Sequence, residues 1–147
     1  MIVRRAEEKD LSSLAILFDE YRQFYGSTSN LKQTSEFLVK RFKNQETVIF
    51  VSQKDETLTG FVVLYQGFST AECRHYYILD DTYVSPKFRR QGMGHQLIDT
   101  AILFARQNNA IRISLQTAKH NIEAQKLYEK LGFIHDTEFN TYHCFVS

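Results

Sequence analysis

The chain has 147 residues, 43% hydrophobic and 24% charged, which is the composition of one globular domain, residues 1–147, able to bury a core without disulfide staples. Lys plus Arg number 18 and Asp plus Glu 17, and the resulting net charge of +1 argues against a nucleic-acid binder working by bulk charge. The two cysteines, Cys73 and Cys144, are too few for a disulfide framework and have no metal spacing, and no apolar run approaches the roughly 20 residues of a membrane span. With no apolar core of a signal peptide among the first ten residues, the expected location is the cytoplasm.

Ile2–Arg5 reads as a first strand. Asp10 then stands as a helix N-cap before Leu11, Leu14, Leu17, Phe18, Tyr21 and Phe24, which recur at helical spacing up to Gly26. A shorter helix is predicted over Thr34–Lys43. Thr47–Ser52 and Thr59–Phe68 flank the turn signal Lys54-Asp55-Glu56 and read as a hairpin, and His75–Val84 is another β-rich run. Ser85–Gly94 breaks all periodicity. Met93, Leu97, Ile98, Ala101, Phe104 and Ala105 restore a helical stripe, followed by a strand at Ile111–Gln116 and a helix at Asn121–Leu131. Phe133–Thr137 and Thr141–Val146 are predicted to close as an antiparallel pair. The order β-α-α-β-β-β-α-β-α-β-β is an α/β fold, a mixed sheet flanked by helices.

The most informative stretch is Val84-Ser85-Pro86-Lys87-Phe88-Arg89-Arg90-Gln91-Gly92-Met93-Gly94-His95, which leaves a strand and opens a helix. A helix N-terminus exposes unpaired N–H groups and the positive end of the dipole. Gly92 and Gly94 clear side chains from where a ligand would approach the backbone, and Arg89 and Arg90 add cations with bidentate reach. Together they make a pyrophosphate cradle; the bland alternative is a strand–helix turn with solvated arginines. The loop is neither a Walker A motif nor a dinucleotide-binding fingerprint.

Arg89-x-x-Gly92-x-Gly94 resembles the Arg/Gln-x-x-Gly-x-Gly/Ala signature of the GCN5-related N-acetyltransferases (GNAT), and Tyr83-Val84-x-Pro86 resembles the end of that family's fourth strand. Asn121-x-x-Ala124-x-x-Leu127-Tyr128-x-x-x-Gly132-Phe133 is similar to its second diagnostic segment. Arg22-Gln23-Phe24-Tyr25, Gly60-Phe61 and Asp80-Asp81-Thr82-Tyr83-Val84 carry a finer likeness to the small polyamine-type members. The resemblance covers essentially the whole chain. It implies the GNAT mixed, mostly antiparallel sheet and acetyl-CoA as cosubstrate. The pyrophosphate would lie on Arg89, Arg90, Gln91, Gly92, Met93, Gly94 and His95, with the pantetheine beside Thr82, Tyr83 and Val84. It also implies direct attack of an amine on the thioester. A homodimer is implied too, with the β-rich C-terminus as its seam.

Tyr128 is the acid for the leaving thiolate that the resemblance implies; pattern alone favours a core aromatic beside Leu127 and Leu131. Asn121 bonds the pantetheine or the substrate, caps its helix, or does both. Asp80 and Asp81 end the strand leading to the loop and are candidates to receive the cationic acceptor and its proton. Adjacent strand residues point to opposite faces, so an ideal strand offers only one of them, unless a bulge relaxes the rule. Tyr21, Phe24 and Tyr25 either line the acceptor pocket or pack the core. No Cys-His-Asn/Asp arrangement or His-x-x-x-His spacing points to an acetyl-cysteine or a metal. The expected function is acetylation of a small-molecule primary amine, polyamine or amino-acid-like. Alternatives are a protein lysine or α-amine acetyltransferase and a non-catalytic acyl-CoA-binding module.

Overall fold

A computed structural model describes residues 1–147 as two compact units, Met1–Gln116 and Thr117–Ser147. In the first, β1 (Ile2–Arg5), β2 (Thr47–Lys54), β3 (Thr57–Ser69) and β4 (Arg74–Val84) form an antiparallel run in chain order. β5 (Ile113–Ser114) joins the edge in parallel with β4, opposite Tyr77 and Ile78. The connection from β4 to β5 carries α3 (Met93–Gln107), since parallel neighbours need a long crossover.

The β2–β3 hairpin is apolar on both faces because each face is covered. On one side, α1 (Leu11–Phe24) and α2 (Leu31–Lys43) set Leu14, Leu17 and Leu38 against Ile49, Val51, Phe61 and Val63. On the other, α3 buries Leu97, Ile98 and Ala101, and its Phe104 meets Phe50 and Tyr77 at ring distances of 5.6 and 5.3 Å.

Several boundaries differ from the sequence reading, each for a local reason. Asp10 makes no side-chain cap to α1. Its carboxylate is taken by the Arg4 fork, with both bonds at 2.8 Å, and by the Glu7 N–H at 2.7 Å. α2 starts at Leu31, ahead of Thr34, because Asn30 Oδ1 accepts from the Gln33 N–H and caps it. β5 is two residues long where six were expected, and it has a strand on one side only.

The second unit holds α4 (Ile122–Lys130). The predicted closing strands Phe133–Thr137 and Thr141–Val146 do not form; the chain there has no regular structure, and Ile134, Tyr142 and Val146 are 92%, 87% and 93% exposed. A strand exists only by its ladder, and these residues pair with none. No residue after Ala105 is buried.

Candidate active site

A bulge in β4 decides which carboxylate faces the helices. Val63 pairs with Asp81 and Leu64 with Leu79, leaving Asp80 as the extra residue. Paired residues share a face. Asp81 therefore lies with Val63 on the α1 side and Asp80 is exposed, so the bulge weighed at Asp80-Asp81 is present. It also reverses the parity of the strand. Leu79 faces the α3 layer, while Asp81 and Tyr83 face α1.

Tyr21 comes down from the last turns of α1 and its hydroxyl donates to Asp81 Oδ1. Its ring is held by Tyr25, Tyr83 and Phe61 at centroid distances of 4.8, 5.7 and 5.9 Å. The Asp81 carboxyl is raised to about 7, first by burial and then by its neighbour Asp80, with the Tyr21 donor working the other way. Burial and the Asp81 carboxylate hold the Tyr21 phenol far above its ordinary range, so it stays protonated and can donate. Tyr65 is part-buried on the same face, and its phenol is pushed up to about 12, first by burial and then by the charges of Asp80 and Asp81. The result is a half-buried carboxylate roofed by phenols, a setting that favours a cation. The alternation Phe61-Val63-Tyr65 on one strand face was the available signal for Tyr65, which the sequence reading passed over.

Beyond Ile78, β4 has no strand beside it on the β5 side, so the backbone of Thr82, Tyr83 and Val84 presents an edge. Thr82 Oγ1 bonds Phe61 O at 3.3 Å, and Tyr83 is buried. The strand end is fastened from α1, where Ser85 Oγ donates to Glu20 Oε2 at 2.8 Å. Arg89 is not turned out into the loop. Its Nε donates to Val84 O at 2.8 Å and its guanidinium lies over Phe24 and Tyr83 at 5.0 and 5.4 Å. Arg90 and Gln91 are exposed, and Arg90 has φ 63°.

Gly92 caps α3 with φ 77°, a conformation that favours glycine, and offers no side-chain cap. The first intrahelical bond is Gln96 N–H to Gly92 O, so the amides of Met93, Gly94 and His95 have no acceptor within the helix. A Cβ at Gly92 or Gly94 would meet open space. Met93 is buried beneath the turn, and His95 Nδ1 lies 3.2 Å from Asp99 Oδ2. Uncapped amides, open space above two glycines and a free Arg90 fit a pyrophosphate.

The first unit thus brings together Asp80, Asp81, Thr82, Tyr83 and Val84 on one strand and runs it into Arg89–His95. Asn121 and Tyr128 belong to the second unit. There Asn121 caps α4, its Oδ1 accepting from the Ala124 N–H at 3.2 Å. Tyr128 is half-buried, with its ring edge-on to Phe133 at 5.7 Å.

The acetyltransferase (GNAT) family model matches residues 14–133. Across 142 residues the chain is 39% identical to the uncharacterized N-acetyltransferase YhfO of Bacillus subtilis (strain 168), covering 97% of this chain and 95% of that one. It is 28% identical to the thialysine N-epsilon-acetyltransferase of Bos taurus, over 99% of this chain and 91% of the relative. A crystal structure of a probable acetyltransferase superposes with a TM-score of 0.95 at 38% identity, over 100% of this chain and 99% of the other.

Proposed function

The chain belongs to the acetyltransferase (GNAT) family and is an N-acetyltransferase, and from that premise we propose that it transfers the acetyl group of acetyl-CoA to the primary amine of a small cationic molecule. The observation that carries this reading is Asp81, a half-buried carboxylate under Tyr21 at the strand end that leads into the loop. A carboxylate in so dry a place attracts an ammonium more strongly than an exposed one. The Bos taurus relative, named for thialysine, accords with a small amine acceptor.

Acetyl-CoA supplies an activated thioester. The amides of Met93, Gly94 and His95, with Arg90, bind its pyrophosphate, and the Thr82–Val84 edge pairs with the pantetheine amides as an added strand would. Gln91 flanks the same loop. Arg89 fixes the strand end against Phe24 and Tyr83. Asp81 receives the acceptor's ammonium and takes its proton, directly or through one water, with Asp80 adding negative charge. The amine nitrogen bonds the acetyl carbon, the carbon–sulfur bond breaks, and Tyr128 donates its proton to the leaving sulfur and is reprotonated by the proton that the nitrogen sheds as it becomes an amide. Asn121 orients the pantetheine or the acceptor.

A screen of diamines, thialysine, neutral aromatic amines and a histone-like peptide, read by release of the CoA thiol, tests the reading. Turnover of the small cationic amines is expected. Turnover of the peptide alone, or acetyl-CoA binding with no acceptor turned over, would overturn it.

A further inference from the structure

The sheet face that carries Asp81 continues past it to an ion pair that acetyl transfer does not use. Tyr65 pairs with Ile78 of β4 and with Thr47 of β2, so these three side chains share the face of Val63 and Asp81. Ile78 is exposed, which leaves an apolar floor open to solvent there. Glu46 stands just before Thr47 and closes the turn from α2, its N–H donating to Arg41 O at 3.0 Å. The Glu46 carboxylate meets Arg41 Nε in an ion pair, with the Arg41 side chain 26% and the Glu46 side chain 46% exposed. No hydrogen bond takes the two terminal nitrogens of that guanidinium, which lies 5.1 Å from the Phe37 ring. Both charges are felt in the acceptor region. The Tyr65 phenol, raised first by burial and then by Asp80 and Asp81, is also lowered by Arg41 and raised by Glu46. A pair this exposed adds little to stability, so folding alone does not account for two opposite charges at the end of this face.

We propose that Arg41 and Glu46 form a second acceptor subsite, which binds the zwitterionic head of an α,ω-diamino acid while its far ammonium lies at Asp81. The acceptor carboxylate takes the two terminal nitrogens of Arg41, whose fork suits it, and leaves Nε to Glu46. The α-ammonium takes Glu46, and the methylene stem runs over Tyr65 and Ile78. The spacing agrees. Asp81 and Thr47 are two strands and two residues apart, roughly 12 Å between Cα atoms at sheet spacings. A lysine-sized stem, with a carboxylate side chain and a hydrogen bond at each end, bridges that gap. Arg41 also acts by repulsion, because a polyamine brings it a like charge where a diamino acid brings a carboxylate. This inference rests on the acetyl-transfer reading and names the acceptor class within it.

The test compares three acceptors on the full chain. Lysine carries both head groups, cadaverine lacks only the carboxylate, and ε-aminocaproate lacks only the α-ammonium. In the wild type, kcat/KM for lysine should exceed that for each of the others by roughly 10–100-fold, the worth of a charged hydrogen bond. Arg41→Gln should raise KM for lysine and ε-aminocaproate by a similar factor and leave cadaverine unchanged. Glu46→Gln should penalise lysine and cadaverine and spare ε-aminocaproate. The KM for acetyl-CoA should hold in both variants, since only acceptor binding is removed. Cadaverine used as well as lysine by the wild type would overturn the subsite and leave acetylation of a small amine standing; this arm needs no variant to fold. Losses that fall equally on all three acceptors would also overturn it, as the mark of a merely structural pair. Acetyl-CoA bound with no amine turned over would overturn the acetyl-transfer reading itself, and the subsite with it.

Discussion

Tyr21 and Asp81 lie 60 positions apart in sequence, and their contact exists because the bulge at Asp80 turns Asp81 toward α1. That is why the pair was not legible beforehand. The residue pattern offered Tyr21 equally to core and pocket, and strand alternation alone does not say which of two adjacent aspartates faces in. A proton acceptor must be ionised to act, so kcat/KM should rise through about pH 7 as Asp81 loses its proton. Removing the Tyr21 donor takes away an influence that lowers the Asp81 pKa. Tyr21→Phe should therefore move that limb to higher pH, leaving acetyl-CoA affinity unchanged. Asp81→Asn should remove the limb and cost roughly 10²–10⁴-fold in kcat/KM for a diamine. The pH–rate profiles of both variants check this; an unmoved limb in Tyr21→Phe would assign it to another group. If Tyr128 is the acid, Tyr128→Phe should lower kcat by roughly 10²–10⁴-fold, and less for thioesters with better leaving thiols.

At the scale of elements, the start of α3 was the most legible part of the site, since two glycines before an apolar helical stripe state both an open approach and a helix N-terminus. What the motif could not convey is the division of labour between the arginines. Arg89 turns back onto Val84 O and the Tyr83 ring, five and six residues before it, and onto Phe24, which lies far off in α1. The glycines also differ. Gly92 has φ 77°, so any side chain there strains the backbone and confuses folding with binding. Gly94 has no positive φ and open space around it. Gly94→Ala should leave the fold intact or stabilise it by up to about 1 kcal/mol, as alanine does in a helix. It should still weaken acetyl-CoA binding, because the new methyl occupies the approach to the amides. Thermal melting and calorimetry on one preparation separate the two effects. Unchanged acetyl-CoA affinity would move the pyrophosphate off this turn.

Across the whole molecule, the nine elements up to α4 were readable because each buries a face within its own unit or carries its own cap. The last two strands were readable as patterns but are unformed, since residues 133–146 pair with no strand and alternation of side chains does not by itself make a ladder. Stability against pH is another property of the whole chain, and here the carboxylates oppose one another. Ser29 Oγ at 2.6 Å and the Asn30 N–H at 2.8 Å hold the Asp19 carboxyl below its ordinary range, and the Arg4 fork does the same to Asp10. The native state favours their charged forms, so their contribution is complete above about pH 4 and is lost as pH falls through their lowered native values. Asp81 has the reverse sign. Its native carboxyl holds a proton up to about pH 7. The unfolded chain releases that proton near pH 4, so stability falls as pH rises between the two. Asp81→Asn keeps the size and removes the ionisation. Its melting temperature should match the wild type near pH 4 and exceed it by pH 8, with the gap opening across that interval. Asp19→Asn should do the opposite, melting below the wild type at pH 7 and converging with it in acid. Calorimetric scans of the three proteins from pH 3.5 to 8 decide the matter. A pH-independent gap for Asp81→Asn would show that its carboxyl titrates alike folded and unfolded, and would remove the dry, roofed carboxylate on which acceptor choice rests.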